Sequence, residues 1–398
     1  MPSPLPNVLS RLGLALLAAV LAAPACQRTV IVTAPEPAYA TPLPPGASAL
    51  RLITDPARMP DWVAVANQLR SPDAIQALAR SRRWYDARSA PTHFPVAGVT
   101  HARARDSVQA LLEAVEQPWT DAELAQHLAQ TFGAYESVGW DGRGTVLYTG
   151  YFSPEFQASR TRGGPYQYPI YSRPSDLVSD AVTGQVFGQR LSDGSTRPYP
   201  TRAELMSSGA LEGLELAYLD DPLDAYTVEV NGSAALRMTD GATLYVGHAG
   251  TNGRDYTSIG QELIQDGELD ANRLSLPALR DYFQRRPGEL SRYTARNDRF
   301  VFFTEYDAGE WPAGSMGFRV EPWRTLATDK SIFPRGAAVV VEAQQPGFAP
   351  RLMVDQDTGG AIRAPGRADV YFGVGTPAEG RAGNFIVEGR MIYLLLDR

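Results

Sequence analysis

The sequence predicts a mainly β protein with helices: a barrel with long functional loops, preceded by a helical segment. Three observations carry this. From about Asp55 to Tyr135 the pattern is helical. Near Val146 it changes to short β-type runs divided by Gly, Pro and Asp, which continue to about Leu244. In the last third, strands follow one another without the strand–helix alternation of a doubly wound sheet.

The elements follow in order. Arg11 and the apolar run Leu12–Ala23 form an export signal, too short for a comfortable membrane span. Two processing routes fit it. Ordinary cleavage at the small residues Ala23-Pro24-Ala25 would release a soluble protein, whereas lipidation of Cys26 with cleavage before it would leave the protein anchored. The lipid route is favoured, because a lone exported thiol has no disulfide partner. The Pro/Ala/Thr-rich stretch to residue 47 reads as a tether. Ser71 with Pro72 opens a helix, and Val108, Leu111, Leu112 and Val115 give another a buried face. Thr120 to Glu123 is a capping box. Strands are expected at Val146–Thr149, Tyr166–Tyr171, Tyr226–Val230 and Leu244–Val246, with a short helix at Thr201–Glu204. Helices return at Ser258 and Ser275. Strands then resume at Arg299–Phe303, Gly336–Glu342, Arg351–Val354 and Met391–Leu396.

The chain has 398 residues and a net charge of −7, which argues against nonspecific nucleic-acid binding. Four scattered histidines and one cysteine offer no metal-ligand spacing, so neither metal nor other cofactor is expected, with carboxylate-bound calcium the one alternative left open. No nucleophile motif or phosphate loop is present. Gly247–Gly253 reads as a backbone-approach or hinge loop, and His248 as a structural hydrogen bonder.

Two constellations remain. Asp357 and Asp369 bracket Gly359-Gly360, and Asp329 lies upstream. Carboxyls near apolar walls suit proton transfer, and loop aspartates also cap turns. For the pair, catalysis and turn structure stand about even on these residues alone. The second set mixes aromatics, amides and hydroxyls: Thr149–Pro154, Tyr166–Tyr171 and Asn231-Gly232-Ser233. It suits a polysaccharide groove, and it also suits ordinary sheet packing.

With these motifs the chain resembles the membrane-bound lytic murein transglycosylase A family. The matching residues run in constant order from Tyr148–Pro154 through Gln167–Tyr171, Thr201–Glu204, Gly209–Leu211 and Asn231–Ser233. They continue through Ala249–Gly253, Tyr256–Gly260, Phe302-Phe303, Ala327–Asp329 and Asp357–Tyr371. The resemblance implies a double-psi β-barrel carrying an inserted smaller β-barrel domain. It divides the chain into a signal (1–25), a tether (26–47), a helical part of the main domain (48–147), the insert (148–243) and the three-aspartate barrel (244–398). It implies Asp369 as the catalytic acid, with Asp357 and Asp329 supporting. Expected substrate-binding positions are Thr149, Gly150, Tyr151, Tyr168, Asn231, Gly232, Ser233, Asn252, Tyr256, Gly359 and Gly360. The implied substrate is the peptidoglycan glycan strand, cut with formation of 1,6-anhydromuramic acid ends. That role requires Asp369 to start protonated. The implied location is the periplasmic face of the outer membrane, anchored through a lipid on Cys26. Two other readings stay open: a water-using hydrolase with an Asp357/Asp369 pair, and a noncatalytic wall-binding lipoprotein.

Overall fold

The computed structural model describes residues 38–180, 184–270, 274–344, 348–359 and 362–397. The export signal, Cys26 and Gly360 lie outside these.

The chain starts with strand β1 (Leu50–Leu52) and helices α1 (Trp62–Leu69), α2 (Pro72–Trp84), α3 (His101–Val115) and α4 (Asp121–Thr131). Their ends obey capping chemistry. Asp61 accepts from two backbone N–H groups of α1, and Thr120 with Glu123 forms the expected capping box of α4. Ser71 occupies the cap position of α2, but its hydroxyl donates back to Gln68 O at 2.6 Å and caps nothing. The expected stripe of α3 is half right. Val108 and Leu111 are buried, whereas Leu112 and Val115 pack only partly. The helical pattern stops short of Tyr135, which lies in β2 (Phe132–Ser137). Strand β3 (Val146–Ser153) follows.

Next come β4 (Glu155–Ser159), β5 (Tyr168–Tyr171), β6 (Leu177–Ser179), β7 (Val186–Arg190), β8 (Thr196–Arg197), α5 (Arg202–Ser208), β9 (Glu215–Leu219), α6 (Pro222–Asn231), β10 (Ser233–Met238) and β11 (Thr243–Thr251). Helices α7 (Ile259–Gln265), α8 (Leu276–Arg285) and α9 (Glu289–Thr294) lead to β12 (Val301–Tyr306). Two expectations need correction here. Tyr226–Val230 is helical. Asp221 caps α6, Pro222 begins it, and Gly232 ends it at φ 71°, so end signals outweigh the β propensity of Thr227, Val228 and Val230. The expected boundary at 243/244 falls at the start of β11, which lies in the same sheet as β4 and β10. That six-stranded sheet runs β12-β11-β10-β4-β9-β5, and a bridge from Ser172 to Phe303 joins its two edges. The second unit of sheet and helices thus extends to Tyr306.

The last strands are β13 (Thr325–Ala327), β14 (Ala338–Ala343), β15 (Arg351–Asp357), β16 (Arg367–Val374) and β17 (Ile386–Leu396), with α10 (Thr376–Gly383) between the final two. The order β17-β14-β15-β13-β16-β3 closes on itself because β3 also pairs with β17. Six strands therefore form a closed barrel, which leaves no open edge within the ring. Two of its pairings are parallel, β13–β15 and β16–β3. Val339, Val340 and Val341 are all fully buried, because helices cover the outside while side chains fill the inside. Gln356 pins α2 to the barrel by donating to Ala77 O (2.7 Å) and Ser81 Oγ (2.8 Å). No helix among the described residues is long and apolar enough to cross a membrane.

Candidate active site

Strand pairing gathers the acids. Ala327 pairs with Asp357 on one side and Asp369 on the other, and Asp369 pairs with Thr149 of β3. One row across the barrel therefore reads Asp357, Ala327, Asp369, Thr149. Strand spacing puts the two aspartate Cα atoms roughly 10 Å apart.

The three aspartates differ in how their oxygens are occupied. Asp329 is buried, and both its oxygens are engaged. Its Oδ1 accepts from Ser331 N (3.0 Å) and Oγ (2.6 Å), and its Oδ2 accepts from Ala364 N (2.9 Å). It thereby holds Ala364, which is left-handed at φ 69° and lies between the other two acids in sequence. Asp357 accepts Ser315 N and Thr358 N on Oδ1, both at 2.8 Å, and the Tyr151 hydroxyl on Oδ2 at 2.8 Å. Burial pushes its carboxyl up, opposed by Ser315 N–H, the Tyr151 hydroxyl, Thr358 N–H and the Lys330 charge. Asp369 accepts the Thr149 hydroxyl at 2.5 Å and Arg367 Nη2 at 3.4 Å, both on Oδ1. Its Oδ2 has no hydrogen-bond partner among the described residues, and the side chain is 18% exposed. This oxygen is the one left for a ligand.

Beneath the row lies a buried pair, Lys330 and Asp355. Their ion pair is supported by Thr328 Oγ1 and by the Tyr393 hydroxyl, each 2.8 Å from Asp355 Oδ2. Burial pushes the Asp355 carboxyl up and the Lys330 ammonium down, and their mutual attraction opposes both shifts.

The second unit meets the barrel through hydroxyls. Ser233 Oγ lies 3.3 Å from Ser153 Oγ, which lies 3.1 Å from the Tyr371 hydroxyl. Tyr371 in turn contacts the Tyr151 ring, with centroids 5.1 Å apart. Ser233 and Tyr151 are thus brought to the acids.

The other expected ligand residues are placed as follows. Asn252 is buried and uses all its capacity internally. Its amide donates to Pro200 O and Asp298 O, and its carbonyl accepts from Phe300 N and Arg254 N. Asn231 donates to Thr227 O of its own helix, and Gly232 ends that helix. Tyr256 is half-buried beside Ser258 and Arg202 in the second unit. Gly150 turns its missing side chain toward α10, where a Cβ would stand 2.5 Å from Ala382 Cα, so close helix packing requires glycine there. Gly359 packs on Ile362. Tyr168 stands 38% exposed on β5, away from the row. Gly247–Thr251 belongs to strand β11 and its bulge rather than to a hinge.

Sequence reasoning missed several contributors. Arg367 lies two residues before Asp369, hence on the same strand face, and that spacing was the available signal. Its Nη2 also donates to Thr149 Oγ1 at 3.2 Å, and its Nε is buried without a partner among the described residues. Ser315 acts through its backbone N–H, which leaves no trace in side-chain chemistry.

A closed barrel presenting a carboxyl with one open oxygen, beside a hydroxyl-lined junction with a second unit, has the makings of an enzyme site that could take a polar ligand. Comparison with known proteins narrows this class. The "MltA specific insert domain" model matches residues 147–304 and the "3D domain" model matches 324–395. Membrane-bound lytic murein transglycosylase A of Vibrio cholerae serotype O1 is 32% identical over 305 residues, covering 74% of this chain and 76% of the relative. Its Escherichia coli K12 counterpart is 31% identical over 290 residues, covering 70% and 74%. Among solved structures, a membrane-bound lytic murein transglycosylase from Agrobacterium tumefaciens aligns with a TM-score of 0.72 at 25% identity, over 87% of this chain and 98% of that one. Escherichia coli MltA with bound chitohexaose aligns at 0.66 and 25% identity, over 90% and 96%. The chain belongs to the membrane-bound lytic murein transglycosylase A family.

Proposed function

We propose that this enzyme is a peptidoglycan lytic transglycosylase that cleaves the β-1,4 bond between N-acetylmuramic acid and N-acetylglucosamine. Asp369 is its single acid/base. The observation carrying this reading is the free Oδ2 of Asp369, set against Asp357 and Asp329, whose oxygens each already accept at least one hydrogen bond. Asp369 starts as the carboxylic acid and protonates the glycosidic oxygen. The bond to the muramyl C1 breaks, and the muramyl 6-hydroxyl attacks that carbon from within the same sugar. Its proton returns to the Asp369 carboxylate, so a 1,6-anhydro ring forms and the acid is restored without water. A tethered nucleophile has an effective concentration on the order of 10⁵ M or more, which is why a second catalytic carboxylate is unnecessary. Thr149 and Arg367 hold the carboxylate between the two transfers.

Supporting this reading, the Escherichia coli relative was solved with a chitohexaose bound. The glycan runs along the junction marked by Ser233, Ser153 and Tyr151, with Asp357 and Asp329 as supporting acids. The ring of six strands is the double-psi barrel, and the segment between β3 and β13 is its insert. The protein is tethered to the outer membrane by a lipid on Cys26.

Mass spectrometry of digested sacculi tests the chemistry. Anhydro ends are expected from the wild type and none from Asp369→Asn. Products heavier by one water would point to a hydrolase, and equal turnover by both proteins would remove Asp369 from the mechanism. Unchanged membrane fractionation of Cys26→Ala would remove the anchor.

A further inference from the structure

The geometry points to Trp311 as a positioning residue for the acid row: it anchors on the second unit a hairpin whose tip holds Asp357. This rests on the functional reading above and extends it to a residue outside the barrel. After β12 ends at Tyr306 the chain must return to β13 at Thr325. On the way Trp311 is buried against β11. Its indole N–H donates to Val246 O at 3.0 Å, and its ring lies 4.9 Å from that of Tyr245. The next residues form a tight hairpin. Val320 N donates to Pro312 O (2.8 Å), Gly314 N to Phe318 O (3.0 Å) and Gly317 N to Gly314 O (2.9 Å). From its tip, Ser315 N donates to Asp357 Oδ1 at 2.8 Å.

The contact is built closely. A Cβ on residue 314 would stand 3.2 Å from Asp357 Cγ, 3.1 Å from Gln356 O and 2.6 Å from Val320 Cγ1. Glycine lets the backbone lie flat against the carboxyl. A hairpin that merely bridged two sheets would need neither a glycine against a carboxylate nor a backbone donor aimed at it.

The other Oδ1 donor, Thr358, is Asp357's own neighbour in sequence, so Ser315 is the donor that the second unit's side delivers. Other groups facing Asp357 are Tyr151 and Lys330, with Tyr371 and Asp369 further off and Arg319 and Glu321 beside Tyr371. Burial drives this carboxyl toward its neutral form, and Ser315 N–H foremost opposes it. Releasing Trp311 therefore leaves Asp357 more readily protonated and its Tyr151 contact altered, in the row that holds Asp369.

Trp311→Phe keeps an aromatic ring against β11 and deletes the indole donor, whereas Gly314→Ala keeps the anchor and pushes the tip off Asp357. The readouts are kcat/KM on sacculi against pH, and thermal melting. Both variants should lose about ten- to a hundredfold, the scale of a small misplacement at an active site. In both, the acid limb of the profile should move to higher pH while melting changes little. A uniform loss with an unmoved limb, no loss at all, or failure of both variants to fold would each overturn the proposal, since the hairpin would then be structural or idle. Asp369→Asn in the same assay separates the two levels. If it keeps full turnover, the functional reading fails. If it is dead while the Trp311→Phe profile is unmoved, only this inference fails.

Discussion

Asp357 and Asp369 stand in one row, two strands apart, yet their surroundings are opposite. At the Asp357 end three donors converge from three chain segments: β3, the hairpin and the acid's own successor. At the Asp369 end one hydroxyl and one long guanidinium contact share a single oxygen, and the second oxygen is open. The difference teaches that residue type does not assign roles in a carboxylate pair. Occupancy distinguishes them: both oxygens of Asp357 already accept hydrogen bonds, whereas Asp369 keeps one oxygen for a ligand.

The sharpest way to break this contrast is Asp369→Asn. Turnover of sacculi should fall about 10³-fold, within the range of general acid–base catalysis, with the melting temperature unchanged. Next comes the buried support. Lys330→Met leaves the Asp355 charge without its partner and should cost roughly 3–5 kcal/mol of stability, read from denaturant unfolding. Thr149→Val removes the hydroxyl donor from Asp369 Oδ1. One bond to a charged group is involved, so a loss of about ten- to a hundredfold in kcat is expected.

The smallest effect sharpens the other end of the row. Burial holds the Asp357 carboxyl above its ordinary value of 3.8, so the folded protein binds this proton more tightly than the unfolded chain does. By linkage, the associated stability is fully present below the ordinary value and is lost as pH rises through the raised one. Asp357→Asn keeps an acceptor for Ser315 N–H and cannot ionise. It should therefore be somewhat more stable than wild type at neutral pH, with the advantage vanishing in acid. Unfolding midpoints across pH check the sign.

The capping box of α4 was legible because the signal is local: a side chain and a backbone N–H three residues apart. The α6 error came from weighing β-branched residues above Asp221-Pro222 and Gly232, which were equally visible. The acids were legible as candidates, and the resemblance ranked them. Their asymmetry was not, because it depends on partners 206 and 42 residues away, Tyr151 and Ser315, that only strand register and a returning loop bring near. Asn252 misled for the converse reason. An amide between glycines reads as ligand chemistry, and here it is spent on four backbone groups.

The chain leaves the barrel along β3 and comes back through the Trp311 hairpin, and both passages border the acid row. The second unit is thus hung on two neighbouring threads, and both of them touch the acid row. Exchanging it for a short linker would not trim an ornament from a finished enzyme. It would take away the Ser315 donor and disturb the strand that carries Tyr151, leaving Asp357 without the partners that other chain segments bring to its oxygens.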